Sequence, residues 1–188
     1  MADPPPYRLT VLAGTAVALD ERLDGFHAYW RAKRGDRAMP RRADIDPTEM
    51  DPRLLPNVML TEVIDGGARF RFRLVGTGAV SGIGADLTGR YVDEVNESDR
   101  YRDYITALYR RVVERRLPVF SMSLYSRPAD AGEARHTTQR LMCPLSTDGS
   151  VVDLVFTCQV FAHASPVAEF PRLTADNPFV GTCEAVLE

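Results

Sequence analysis

A glycine-rich stretch after a β-rich segment is the first feature of the sequence that suggests chemistry. Residues 76–81, Gly-Thr-Gly-Ala-Val-Ser, nearly match the Gly-x-Gly-x-x-Gly pattern of dinucleotide sites, whose glycines let the backbone approach a pyrophosphate. Ser81 replaces the third glycine, and the sequence that follows lacks the strand–helix–strand pattern of such sites. We therefore expect no nucleotide site here.

Side chains that bind metals or act as nucleophiles are scattered along the chain. Three histidines and three cysteines are present: His27, His136, His163, Cys143, Cys158 and Cys183. None of them shows the spacing of zinc ligands or of a Cys-x-x-Cys pair. Cys143 and Cys158 lie in apolar runs, where a free cysteine usually acts as a small hydrophobic residue. We expect no metal site and no disulfide framework.

Catalysis has little support, because no Gly-x-Ser-x-Gly turn and no other convincing catalytic cluster is present. We therefore expect a binding and signalling protein, not an enzyme. The alternative is a small α+β hydrolase or isomerase whose pocket uses Tyr101, Tyr104 or His136 as acid or base. The enzyme hypothesis requires polar groups that converge in the pocket, whereas the sensor hypothesis predicts an almost wholly apolar space.

Composition narrows the range of partners. The 188 residues, 45% hydrophobic and 26% charged, fit one globular domain. The net charge of −3 disfavours nucleic acid and membranes as partners, because anionic surfaces repel an acidic protein. A nucleic-acid-binding module is a third hypothesis, which salt-dependent retention on heparin would test. The sequence shows no secretory leader and no long apolar run, so we expect a cytoplasmic protein.

An amphipathic helix is predicted near the start. Four apolar residues share the spacing of one helical face: Leu19, Leu23, Phe26 and Trp30. The helix should cover about residues 20–34, after a flexible arm at 1–18. A proline-rich connector follows, in which Asp46-Pro47 and Asp51-Pro52 each place an N-cap aspartate before a proline, as at the start of a one-turn helix.

A β-hairpin is predicted next. Val58–Ile64 is rich in β-forming residues, and Arg69–Val75 alternates strictly, with Phe70, Phe72 and Leu74 on one face and arginines on the other. The turn residues Asp65-Gly-Gly between them allow either a two-residue or a three-residue loop around Gly66.

One long helix and three strands complete the predicted domain. The helix, capped by Ser98, covers about residues 99–116. The strands cover about 118–126, 135–146 and 151–161. Phe120, Met122 and Leu124 alternate with serines in the first of these strands, which indicates one buried face. Residues 166–188 are expected to form a loosely packed extension.

The last two strands can be aligned from their turn. If Asp148-Gly149 forms a two-residue type I′ turn, the register follows directly. The predicted pairs are then Leu141 with Phe156, Cys143 with Leu154, and Leu145 with Val152. Folded together, the helix and strands should enclose an apolar ligand space. We predict that seven residues line it: Leu74, Tyr101, Tyr104, Leu108, Phe120, Leu141 and Phe156.

The order of these elements resembles the PAS domain, a sensor fold of two strands, helices and three further strands. Four segments make the sequence similar to a bacterial stand-alone PAS-like family: Tyr29-Trp30, Ile45-Asp46-Pro47, Arg73-Leu-Val-Gly-Thr77 and Gly84-Ala-Asp-Leu-Thr-Gly-Arg90. The resemblance covers about residues 20–162. Arg73, Thr77 and Arg90 would either line a ligand or partner surface or belong only to a hairpin end and a turn.

The resemblance implies an α+β fold: a five-stranded antiparallel sheet with helices on one face, plus an N-terminal helix. The PAS-like sensor domain would cover residues 19–165. It also implies a sensory module that binds a small apolar ligand or a protein partner, with no kinase, cyclase or DNA-binding effector fused to the chain. The change in packing would be read by a signalling partner. A homodimer through the N-terminal helix, with Trp30, would follow from the broad apolar face of that helix.

The resemblance also bears on cofactors. A PAS domain that holds haem usually needs an axial histidine on the long helix, and one that bonds a flavin covalently needs a reactive cysteine at its start. Residues 99–116 contain neither histidine nor cysteine. Both cofactors are therefore disfavoured, and the ligand stays unidentified at this point.

Overall fold

The computed structural model describes residues 20–95, 99–125, 136–163 and 179–186. Within them the chain forms three α-helices and six β-strands. The helices are α1 (Glu21–Arg34), α2 (Thr77–Ile83) and α3 (Asp99–Arg115). The strands are β1 (Val58–Ile64), β2 (Arg69–Val75), β3 (Val119–Tyr125), β4 (His136–Leu145), β5 (Leu154–His163) and β6 (Phe179–Val186).

The described strands form one antiparallel sheet in the order β2-β1-β5-β4-β3-β6. Strands β1 to β5 confirm the predicted α+β fold with its five-stranded sheet. Strand β6, which the sequence did not predict, lies in the expected C-terminal extension and pairs with β3. The arm at 1–18 and the Ser98 cap lie outside the described residues. None of the described helices is both long and apolar enough to cross a membrane.

Helix α1 covers one face of the sheet. The Asp20 carboxylate accepts a hydrogen bond from the Arg22 N–H at 3.0 Å and caps the helix. The ring of Phe26 lies 4.6 Å from that of Phe156, and the Trp30 indole donates to the Pro144 carbonyl at 2.9 Å. Because Trp30 is fully buried, the apolar face that suggested a homodimer is occupied by the chain's own sheet.

The proline-rich connector is fixed to α1. The Asp46 side chain accepts from the Thr48 N–H, and Pro47 opens a one-turn helix as predicted. Asp51-Pro52 forms a hydrogen-bonded turn instead of a helix. The Tyr29 hydroxyl donates to the Asp46 carbonyl and accepts from the Asp46 N–H, both at 2.9 Å. Two of the four segments that carried the family resemblance therefore meet in space.

The first hairpin forms as predicted, but its loop and one of its faces differ. Ile64 pairs with Arg69, so the loop has four residues, neither two nor three. A β-bulge shifts the register opposite Leu60 and Thr61. A bulge adds one residue and reverses the alternation beyond it. Leu74 is consequently 48% exposed and does not share the face of the two phenylalanines before it.

The register of β4 with β5 differs from the prediction by two residues. Leu141 pairs with Cys158, Cys143 with Phe156, and Leu145 with Leu154. The predicted type I′ turn does not form. Instead, the Asp148 carboxylate accepts hydrogen bonds from the Ser146 and Ser150 hydroxyls and from the main-chain N–H groups of Ser150 and Val151. These bonds favour a wider loop. A shift of two leaves every side chain on its predicted face.

The central part of the sheet is buried on both faces. Leu60, Phe120, Leu141 and Phe156 belong to the core on the α1 side. Met59, Phe70, Leu108, Met142 and Val155 belong to the core on the α3 side. Both cores involve β3, β4 and β5, and these central strands have no solvent face.

Candidate functional site

A row of polar side chains lies in the interior beneath α3. Alternate residues of β1, β3, β4 and β5 project to this face because side chains alternate along a strand. Its buried polar members are Thr61, Ser121, Ser123, Thr138, Arg140, Thr157 and Gln159. The strand register places Ser121 opposite Arg140 and Arg140 opposite Gln159. Four neighbouring strands thus contribute one polar row.

Arg140 is the centre of this row and is only 4% exposed. Its Nη1 donates to the Ser123 hydroxyl at 2.9 Å, and its Nη2 donates to the Tyr101 hydroxyl on α3. Its guanidinium lies 5.8 Å from the centre of the Tyr101 ring. Among the described side chains no carboxylate pairs with it. A buried charge usually has a countercharge, so this cation is incompletely compensated within the described part of the chain.

Two tyrosines of α3 face the same interior. Burial raises the pKa of Tyr104, although Arg140 and the nearby Ser121 and Ser123 hydroxyls oppose this effect. Burial raises the pKa of Tyr109 to about 12, and its hydroxyl lies 3.1 Å from that of Thr61. Both phenols therefore stay neutral near pH 7 and act as hydrogen-bonding groups.

Two hydroxyls of the polar row are not fully satisfied. Ser121 Oγ and Thr157 Oγ1 are buried and have no hydrogen-bond partner of ordinary geometry, although each is close enough to a tyrosine hydroxyl, that of Tyr104 or Tyr109, to oppose the rise of its pKa. Leaving such a group unpaired costs about 1–3 kcal/mol, and native interiors contain few of them. Both hydroxyls can therefore donate to a bound molecule.

Comparison with models of protein families identifies the family of the chain. A family model described as a PAS domain matches residues 21–158. The chain belongs to the PAS domain family. PAS domains are in general sensory and signalling modules. Neither a curated protein nor a solved structure shows significant similarity to the chain.

The PAS domain does not bring the seven predicted site residues into one space. Tyr101, Tyr104 and Leu108 pack on the α3 side of the sheet. Phe120, Leu141 and Phe156 pack against α1 on the other side. Leu74 is exposed at the sheet edge. The interior next to α3 is also not the almost wholly apolar space that was expected.

The polar row was missed because Ser121 and Ser123 alternate with apolar residues in β3. That pattern indicated one buried face, yet the two serines are 0% and 1% exposed. An available signal was Arg140, a lone charge within the apolar and small-polar run of β4. The side chain of His136, a candidate base, lies outside the described part.

The glycine-rich stretch has a packing role in this PAS domain. A Cβ on Gly76 would lie 2.8 Å from the Leu55 carbonyl oxygen, and one on Gly78 would lie 2.9 Å from that of Pro56. The glycines therefore let α2 approach the main chain that precedes β1. This explains the pattern without a nucleotide.

The other segments of the resemblance also have structural roles. The Phe72 N–H donates to the Arg90 carbonyl at 2.9 Å, and the Gly89 N–H donates to the Phe72 carbonyl at 2.7 Å. The segment around Gly89 thus covers the free edge of β2, which an uncovered sheet would expose to pairing. Arg73 is exposed and lies near Glu62.

A concave region lies beside the first half of α3, apart from the polar row. It has a volume of about 260 Å³ and lies between the hairpin loop and the first half of α3. Arg69 binds Asp93 at 2.9 Å and Glu94 at 2.7 Å there and stacks on the Tyr91 ring. Arg69 is therefore already engaged by carboxylates, and the cleft is also lined by Arg102, Asp103 and Arg110. No group of three or more potential metal ligands occurs among the described residues.

Proposed function

We propose that this PAS domain is a sensory module in which a small molecule binds between α3 and the sheet. The observation that carries the proposal is the buried polar row. In it the Arg140 cation has no described carboxylate partner, and two hydroxyls lack hydrogen bonds of ordinary geometry. A bound polar molecule would supply those partners. The ligand is therefore polar, in contrast to the apolar molecule expected from the sequence.

The same residues connect the ligand to α3. The contacts that hold the helix to the polar row include the hydroxyl pair of Thr61 and Tyr109 and the hydrogen bond from Arg140 to Tyr101. A ligand that competes for Arg140 releases Tyr101 near the start of α3. It shifts the packing equilibrium by its difference in affinity for the two arrangements. A separate signalling protein reads the position of the helix.

The enzyme hypothesis called for converging polar groups, and such groups are present. Proton transfer near neutral pH needs a group whose pKa is close to the working pH. The pKa values of Tyr104 and Tyr109 are raised above their ordinary values. The described side chains beneath α3 include no carboxylate and no imidazole. The set of groups favours binding over acid–base catalysis.

Native mass spectrometry combined with hydrogen exchange tests the proposal. Freshly purified protein should carry a small molecule, and its removal should increase amide exchange in α3 and in β3 and β4. Replacing Thr157 by valine keeps the shape but removes one hydroxyl of the polar row, so retention of the molecule should fall. Ser150→Ala, in an exposed loop, is the matched control. A molecule whose removal leaves the exchange of α3 unchanged would contradict the proposal.

A further inference from the structure

We infer that the molecule held beneath α3 carries a carboxylate group, which Arg140 binds. This inference rests on the proposed function, because it names the chemical class of that ligand. The inference starts from the positive charge of Arg140. Arg140 is buried, its hydrogen bonds go to the neutral hydroxyls of Ser123 and Tyr101, and no described carboxylate pairs with it.

The geometry of the donors fits a planar anion. A guanidinium presents five N–H donors in a rigid fork that matches a carboxylate, and such charge-assisted pairs are stronger than neutral hydrogen bonds. Ser121 is opposite Arg140 in the strand register, and Thr157 lies two positions from Gln159, the other partner of Arg140. Both hydroxyls lie on the same face of the sheet as Arg140.

The charge of the site sets the charge of the ligand. Arg140 is the only cation of the polar row among the described buried residues. The groups around it are hydroxyls and one amide, which solvate an anion but do not neutralise it. A single negative charge balances one guanidinium, whereas a phosphate dianion in the same interior would retain uncompensated charge. A monocarboxylate is therefore the favoured class.

The chain itself contains one competitor for this role. In the register of β6 with β3, Glu184 is the partner of Ser121, which in turn is the partner of Arg140. Partners across strands lie on the same face of a sheet. An external carboxylate and this glutamate are therefore distinguishable only by experiment, and the test includes a Glu184→Gln variant.

The experiment titrates the full chain with matched pairs of probes and follows its amide NMR signals. Sodium acetate and sodium benzoate are compared with acetamide and benzamide at pH 7, and sodium chloride keeps the ionic strength constant. The carboxylates should shift the amides of residues 119–123 and 138–142, while the isosteric neutral amides should not. The Arg140→Gln variant should lose at least about tenfold in carboxylate affinity, since a charge-assisted pair is removed.

Two control variants keep the result interpretable. Arg71→Gln removes an exposed arginine that pairs with Glu62, so it should bind carboxylates like the wild type. Arg140→Lys keeps the buried charge and most of the stem but loses the fork. Its affinity should lie between those of the wild type and Arg140→Gln. If Arg140→Gln fails to fold, the lysine variant decides the question.

Six results would overturn the inference. Equal affinity for carboxylates and amides would show that charge is not recognised. Wild-type affinity in Arg140→Gln would place binding elsewhere, and wild-type affinity in Arg140→Lys would show that the guanidinium fork is not used. Absence of carboxylate binding to the wild type would exclude the site. Binding that appears only in Glu184→Gln would show that the chain supplies its own anion. A neutral molecule co-purified beneath α3 would also exclude a carboxylate, yet would leave the proposed sensory function intact.

Discussion

The hydroxyl groups of Thr61 and Tyr109 lie 3.1 Å apart in the interior beneath α3. Thr61 is fully buried and Tyr109 is 4% exposed, so neither hydroxyl has water as an alternative partner. The pair ties the middle of α3 to β1, while the rings of Phe70 and Tyr109 stack at 5.0 Å. This contact holds the helix in place next to the polar row.

A double-mutant cycle measures that contact. Thr61→Val and Tyr109→Phe should each lower the free energy of unfolding by about 1–3 kcal/mol, because each leaves one buried hydroxyl unpaired. The double variant should lose less than the two single losses added together, since it leaves no unpaired group. Urea denaturation followed by circular dichroism provides the values. Strictly additive losses would show that the hydroxyls do not interact.

Trp30 should be a major determinant of the docking of α1. Trp30→Ala removes a fully buried indole and should cost about 3–5 kcal/mol of stability. Trp30→Phe keeps an aromatic ring but loses the bond to the Pro144 carbonyl, so it should cost less. Guanidinium denaturation followed by circular dichroism compares both variants. A loss below 1 kcal/mol for the alanine variant, on the order of an ordinary surface substitution, would mean that α1 does not contribute to the core.

His27 should make the stability pH-dependent between about pH 6.5 and pH 4. Burial, with smaller effects of Arg31 and Arg34, lowers the pKa of His27 from 6.5 to about 4. As the pH falls through this range the unfolded chain takes up the proton first, so the free energy of unfolding decreases. The decrease should be on the order of 2 kcal/mol. Thermal denaturation across this range should show a shallower slope for His27→Gln than for the wild type, and identical slopes would refute the assignment.

Gly78 should not tolerate alanine. The added Cβ would lie 2.9 Å from the Pro56 carbonyl oxygen, which is main chain and cannot move without shifting the hairpin. We expect Gly78→Ala to cost about 1–3 kcal/mol. Gly25 in α1 is exposed and has free space around it, so Gly25→Ala should be neutral or stabilising by up to about 1 kcal/mol. Chemical denaturation of both variants tests the contrast, and equal effects would contradict a packing role for Gly78.

The sequence predicted β1 to β5 and, apart from Leu74, the alternation of their faces, but neither β6 nor what covers each face. In β3, Phe120 and Ser121 point to opposite sides as expected. Whether a serine faces water or a polar interior depends on the helix that covers it. Here α3, which directly precedes β3 in the sequence, covers the face that carries Ser121. Serine is compatible with both environments, so its type does not reveal which one it has.

Local hydrogen bonding and a β-bulge account for two further differences between the prediction and the structure. The loop at Asp148 widened because its carboxylate binds groups on both sides of the turn, a preference that competes with the type I′ turn. Leu74 left its predicted face because one inserted residue reversed the alternation. Residue types alone specify neither outcome, since both depend on the geometry of a few bonds.

Arg140 and Leu141 are consecutive residues of β4, yet they belong to opposite halves of the molecule. The first contacts Tyr101 of α3, and the second lies in the core that packs against α1. A single peptide bond thus connects a residue of the polar row beneath α3 to a residue of the core that packs against α1. Any displacement of this strand therefore changes the contacts of both helices at once, because consecutive side chains point to opposite faces.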